Sequence, residues 1–272
     1  GWGSARIIGL LAVSAVCLAF FVAWELRARR PTFDLRLLRN PQLRVALAVV
    51  SFYATGMFAT TFLLTFYLQG ALRLSPLEAG LALLPIAVPQ LVLAPLGGAL
   101  ADRLGPARPV ILGLAFLILG AVLLSRLGTR LDLVAVVVPL LCVSAGNGFA
   151  WPALTKAVVS SAPRERTGVA SGMFFTLRTV GMALSFTLAL VVAEASLPPS
   201  VAVRVFLGAG GVLSGHLGQA LVQSTDAGFR VFAGFCAVAF LLALLLLRTH
   251  LAPVAATERA GEPHSERAAS TS

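Results

Sequence analysis

The chemistry this chain could perform rests on a few charged side chains set among long apolar runs. Between Gly98 and Arg108 lie the adjacent pair Asp102 and Arg103, followed by Gly105. Neighbours in sequence do not share a helix face, so at least one of the pair needs a partner elsewhere. Arg178 stands in a second apolar run, ten residues past Gly168. A charge at mid-membrane costs about 2.5–3.5 kcal/mol on translocon scales. Helical spacing aligns Arg178 with Ser171, Phe175, Gly181, Met182 and Ser185, a small and semi-polar stripe. Two readings fit: a cation lining a wet cavity, or one bonded to backbone carbonyls that locks helix packing.

Other polar groups within the runs are Tyr53, Thr55, Thr60, Thr61 and Tyr67, with single amides at Gln90 and Asn147. Each alone reads as a packing hydrogen bond; spread over three runs, they point to a wet interior. Gly168 and Gly172 have the GxxxG spacing that permits close helix approach, and Gly181 follows on the same helix. No HExxH, GxSxG or Walker loop occurs, and no run holds paired carboxylates, so the chain is not read as an enzyme. His216 has no second histidine or carboxylate beside it, whereas a zinc site needs three or four ligands; no metal and no cofactor are expected. Cys17, Cys142 and Cys236 lack CxxC spacing and read as small apolar residues.

The elements that must position these groups follow from composition. The 272 residues are 58% hydrophobic and 12% charged, about half the charge of a soluble domain at roughly 25%, and mean hydropathy is +0.92. Such a chain is an all-α membrane protein. Its spans run roughly Ile7–Trp24, Val45–Leu68, Leu77–Ala101, Val110–Leu127, Leu133–Ser160, Gly168–Ala193 and Phe229–Leu247, each near the ~20 residues that cross the hydrocarbon core. Prolines at 85, 89, 95, 139 and 152 predict bent or broken helices around a cavity.

The net charge of +10 does not mark a nucleic-acid binder, because the basic residues fall between spans without interleaved aromatics. One connection alone holds Arg27, Arg29, Arg30, Arg36, Arg39 and Arg44. The opposite side holds only Arg6, Arg73, Arg126, Arg130, Arg204 and Arg230 in total. The richer side is cytoplasmic by the positive-inside rule, which puts Gly1 outside and Ser272 inside. Residues 1–44 are a helix and a basic connection, 45–248 a six-span unit, and 249–272 a polar tail expected to be disordered. Val201–Val212 is too short to span and reads as interfacial. The opening Gly1-Trp-Gly-Ser4 reads as a loop cut open, as in a fragment.

Gly98-xxx-Asp102-Arg103-x-Gly105-xx-Arg108 resembles the cytoplasmic loop signature of the major facilitator superfamily. Further stretches resemble the C-terminal part of its fourteen-helix drug:proton antiporters: Trp24-Glu25 with Pro31 and Asp34-Leu35, Arg39-Asn40, Ser75–Leu81 with Pro85, and Gly168–Gly172 followed by Arg178 and Gly181. Ala107 and Thr179 depart from the family's usual basic residue and glutamine. The resemblance implies that 45–248 is one half of a two-half transporter of the bacterial cytoplasmic membrane, lacking its N-terminal half. It also implies export of small amphipathic drugs by alternating access, with protons as the coupling ion. Gly98, Asp102, Arg103, Gly105 and Arg108 would then form a gating loop, with Asp102 facing a helix N-terminus of the other half. Arg178, Tyr53, Thr55, Gln90 and Asn147 would line the cavity. A metabolite transporter on the same scaffold, or a non-transporting membrane interaction half, fits the same residues.

Overall fold

A computed structural model describes residues 4–27, 35–72, 74–127, 133–196 and 216–260. Among them every regular element is helical: α1 (Ala5–Arg27), α2 (Pro41–Phe66), α3 (Pro76–Ala82), α4 (Leu84–Leu104), α5 (Ala107–Leu124), α6 (Leu133–Ser160), α7 (Thr167–Ser196) and α8 (His216–Ala260). Seven spans among these residues are long and apolar enough to cross a membrane. The expected all-α membrane architecture is therefore what the chain adopts.

Local chemistry sets the helix ends. Asn40 caps α2, its Oδ1 accepting from Gln42 N at 3.0 Å, and Pro41 follows where a missing N–H costs nothing. Ser75 and Glu78 form a reciprocal capping box, Glu78 N donating to Ser75 Oγ at 3.3 Å and Ser75 N to Glu78 Oε2 at 2.8 Å. The third span breaks once, at Leu83, directly before Leu84 and Pro85; proline supplies no N–H to continue the ladder. Pro89 and Pro95 remain inside α4, as Pro139 and Pro152 do inside α6.

Small residues set how the helices pair, as expected where lipid supplies no hydrophobic drive between them. A Cβ on Gly113 would meet Ala150 N at 2.6 Å, and one on Gly120 would meet Val143 Cγ2 at 2.8 Å, so α5 and α6 run antiparallel. Gly97 lies against the Gly148 carbonyl and Leu93 against Gly148, with Ser144 bonded to Ile86 O earlier on both helices; α4 and α6 run parallel. Gly56 faces Phe232 and Cys236 while Gly228 faces Leu63, which makes α2 and α8 antiparallel. Gly181 sits on Ser51 and Ala54, and Phe62 on Phe186, so α2 and α7 are parallel. These directions alternate along the chain, as successive crossings require. The core lies where α2, α6 and α8 meet their neighbours, with Tyr53, Phe174, Phe229 and Phe232 among its fully buried side chains.

α1 buries almost none of its apolar surface against the other helices. α4 leaves Leu77-side residues such as Val88, Leu91, Val92 and Leu96 exposed, and α7 leaves Phe175, Val180 and Leu184 exposed. In water such surfaces would be aggregation-prone; they belong to helices long and apolar enough to cross a membrane. Two boundaries differ from the sequence reading. α8 begins at His216 rather than near Phe229, and its backbone continues to Ala260, past Thr249. The Val201–Val212 stretch and residues 261–272 lie outside the described residues.

Candidate functional site

One cluster gathers where α2, α6 and α7 meet. Tyr53 on α2 donates its phenol to Asn147 Oδ1 on α6 at 2.9 Å, with both residues buried. One helical turn on, Trp151 lies 6.2 Å from the Tyr53 ring and 5.5 Å from Phe174, centroid to centroid. Arg178 reaches into this cluster from α7. Its guanidinium carbon sits 5.0 Å from the Trp151 ring centroid and 5.4 Å from that of Phe58. Cation–π contacts contribute about 0.5–2 kcal/mol each, so two of them offset much of the ~2.5–3.5 kcal/mol cost of an arginine at mid-membrane. They supply charge stabilisation but no lone pair: Arg178 Nε is buried with no acceptor, and so is Asn147 Nδ2 with its two N–H groups.

The carbonyl-bonded reading of Arg178 finds no support, since no backbone carbonyl takes its protons among the described residues and two aromatic faces flank its guanidinium instead. Thr55 does not join this cluster. Its hydroxyl bonds Ser51 O at 2.8 Å, and it lines a separate shallow apolar cleft between α2, α7 and α8 with Leu63, Ala189, Val231, Phe232 and Phe235. Gln90 bonds Ile86 O of its own helix at 3.0 Å, the same carbonyl that accepts from Ser144 at 2.8 Å; no contact brings it to Arg178.

The second site is at the C-terminal ends of α4 and α6. Asp102 pairs with Lys156, whose Nζ also donates to Ala101 O at 3.1 Å. The acid therefore has a partner in its own chain, one the sequence reading did not name. Both side chains remain accessible, 71% for Asp102 and 37% for Lys156. α4 then ends at Gly105 with φ 78° and ψ 157°, a region open essentially to glycine alone, and α5 starts at Ala107. Arg103 and Arg108 point outward. Gly98 lies at the edge of Pro152, 4.0 Å from where its Cβ would stand. On the same side Asn40 Nδ2 donates to Ser161 O at 2.7 Å, fastening the start of α2 to the end of α6.

Of the glycines read as packing positions, Gly181 is one: its Cβ would stand 2.8 Å from Ala54 Cβ. Gly168 and Gly172 make no close helix contact within this bundle, since nothing among the described residues lies within 4 Å of where their Cβ atoms would stand. Sequence reasoning missed Lys156, Trp151 and Phe58. Asn147 and Trp151 are spaced i,i+4 and so share a face, which was the available signal for the tryptophan. Among the described residues no group of histidine, cysteine or acidic side chains could hold a metal ion.

Comparison with known proteins adds an independent line. The family model described as Major Facilitator Superfamily matches residues 1–186. The chain is 34% identical over 186 residues to the tetracenomycin C resistance and export protein of Streptomyces glaucescens, covering 68% of this chain and 34% of that protein. It is 31% identical over 186 residues to the multidrug resistance protein Stp of Mycobacterium tuberculosis, with the same coverages of 68% and 34%. The quinolone resistance protein NorB of Staphylococcus aureus is 28% identical over 222 residues, covering 79% of this chain and 48% of NorB. The chain thus spans between a third and a half of the length of these relatives.

Proposed function

Because the chain belongs to the major facilitator superfamily, we propose that it forms the C-terminal part of a proton-coupled exporter of amphipathic drugs or toxic compounds in a bacterial cytoplasmic membrane. Its α2–α8 bundle would be one half of an alternating-access transporter, with α1 a linker helix beside it. The observation that carries this reading is Arg178, a mid-span cation held by Trp151 and Phe58 where α2, α6 and α7 meet, without a counter-ion among the described residues. Structural arginines find acceptors; one kept without any suits a cavity that changes its contents. The exposed faces of α4 and α7 supply the surface against which a second half would rock. The names of the relatives support export of drugs and antibiotics as the activity.

The loop Gly98–Arg108 would gate this motion. Asp102 and Lys156 tie α4 to α6 at the side read as cytoplasmic, and helices bound there move as one. Gly105 lets the chain turn from α4 into α5, leaving Arg103 and Arg108 at the headgroups.

Drug accumulation inside everted vesicles carrying the full-length transporter tests the cavity role. Removing charge with Arg178→Ala, and keeping it without the planar fork in Arg178→Lys, should each cut export at least tenfold with expression retained. Full activity in both variants would sink the cavity role.

A further inference from the structure

We propose that the surroundings of Arg178 form a subsite for the anionic oxygen of a planar aromatic compound. Arg178 supplies the charge, and Trp151 and Phe58 supply stacking faces. The inference rests on the transporter reading and narrows it, since it gives this half of the cavity an acid-recognising role.

The first argument is the hydrogen-bond inventory. A guanidinium has five N–H donors and no acceptor. None of those on Arg178 meets an acceptor among the described residues, although the side chain is partly buried and Nε fully so. Ring faces at 5.0 and 5.4 Å stabilise the charge but leave the in-plane N–H directions unfilled. The second argument comes from Asn147. Tyr53 donates to its carbonyl oxygen, and its buried amide nitrogen is a donor without a partner. The neighbourhood thus offers unused N–H donors and π faces.

Electrostatics point the same way. α2 and α6 carry no acid at all, and the acid of α7 is Glu194. Sixteen residues of helix separate it from Arg178, about 24 Å at 1.5 Å per residue. A cationic group placed here would meet a like charge. A carboxylate or phenolate would meet a charge-assisted donor, and a flat ring system carrying it would lie against Trp151. The acceptor could instead be a carboxylate of another protein segment; the substrate is the source proposed.

The test is scintillation-proximity binding of tritiated 2-naphthoate to the full-length transporter in zwitterionic lipid nanodiscs, competed by unlabelled 2-naphthoate or 2-naphthamide. The acid should bind saturably and compete at least tenfold better than the amide. In Arg178→Gln that preference should collapse to near unity, whereas a misfolded protein would lose both ligands together. Arg178→Lys should retain part of the preference. Absence of saturable naphthoate binding, or an unchanged acid-to-amide ratio in Arg178→Gln, overturns the proposal; a protein carboxylate as the true acceptor would give that result. Drug export by the full-length protein reads the transporter function separately, so the two can fail independently.

Discussion

Tyr53 and Asn147 show how a single buried pair can hold three helices in register. The phenol donates to the amide oxygen, while the tryptophan one turn further along α6 packs its tilted ring against the same tyrosine and carries Arg178. Tyr53→Phe would orphan the Asn147 oxygen as well as its nitrogen, at about 1–3 kcal/mol. Thermal unfolding in detergent should therefore show a clear loss, and the Tyr53→Phe/Asn147→Leu double variant should lose less than the sum of the two single changes, because they act on one bond. Strictly additive losses would mean that the bond contributes nothing. Asp102 and Lys156 differ in kind. Exposed ion pairs contribute about 0–1 kcal/mol, so Asp102→Asn should leave expression and melting nearly intact while abolishing turnover. An Asp102→Lys/Lys156→Asp exchange should restore part of it. Unchanged turnover in Asp102→Asn would refute the gating role. The acid and its need for a partner were legible from two adjacent charges. Lys156, fifty-four positions away, was not, because only the parallel pairing of α4 and α6 brings it there.

Glycines decide the helix contacts, and they divide sharply. Replacing a helical glycine by alanine gains up to about 1 kcal/mol of propensity. At Gly168 and Gly172, where nothing lies within 4 Å, that gain should stand, and the alanine variants should melt at or above the parent temperature. At Gly113 the new methyl would meet Ala150 N at 2.6 Å and at Gly97 the Gly148 carbonyl at 2.3 Å. Backbone cannot yield as a side-chain tip does, and overpacking of about 1–3 kcal/mol exceeds the propensity gain. Gly113→Ala and Gly97→Ala should lower the melting temperature, and the opposite ranking would refute the packing described here. Gly105→Ala should cost about 1–3 kcal/mol for a different reason, its positive φ. The GxxxG spacing on α7 was visible in sequence, but spacing alone does not say which way a helix face turns. The contacts of Gly97, Gly113 and Gly148 had no comparable signature.

At the scale of the whole molecule, the alternating helix directions and the skewed arginine distribution make one orientation the expected one. A single cysteine at Ser4, in a background without Cys17, Cys142 and Cys236, should react with an impermeant maleimide from outside intact cells. One at Arg108 should react only in everted vesicles; the reverse pattern would invert the assignment. Apolar run length and charge placement are local properties, so the sequence by itself determined the all-α membrane class, the seven spans and their approximate limits, and the residues that had to matter because lipid makes charge costly. Rotation of each helix about its axis and the choice of neighbour are not local. Tertiary structure alone decided that Thr55 faces an apolar cleft while Tyr53, two residues earlier, faces Asn147. It likewise decided that Asp102 finds Lys156 and that Arg178 is held by rings rather than carbonyls. Helix–helix contact in a bilayer depends on close backbone approach at a few small residues, and which small residues meet is settled only when the bundle closes.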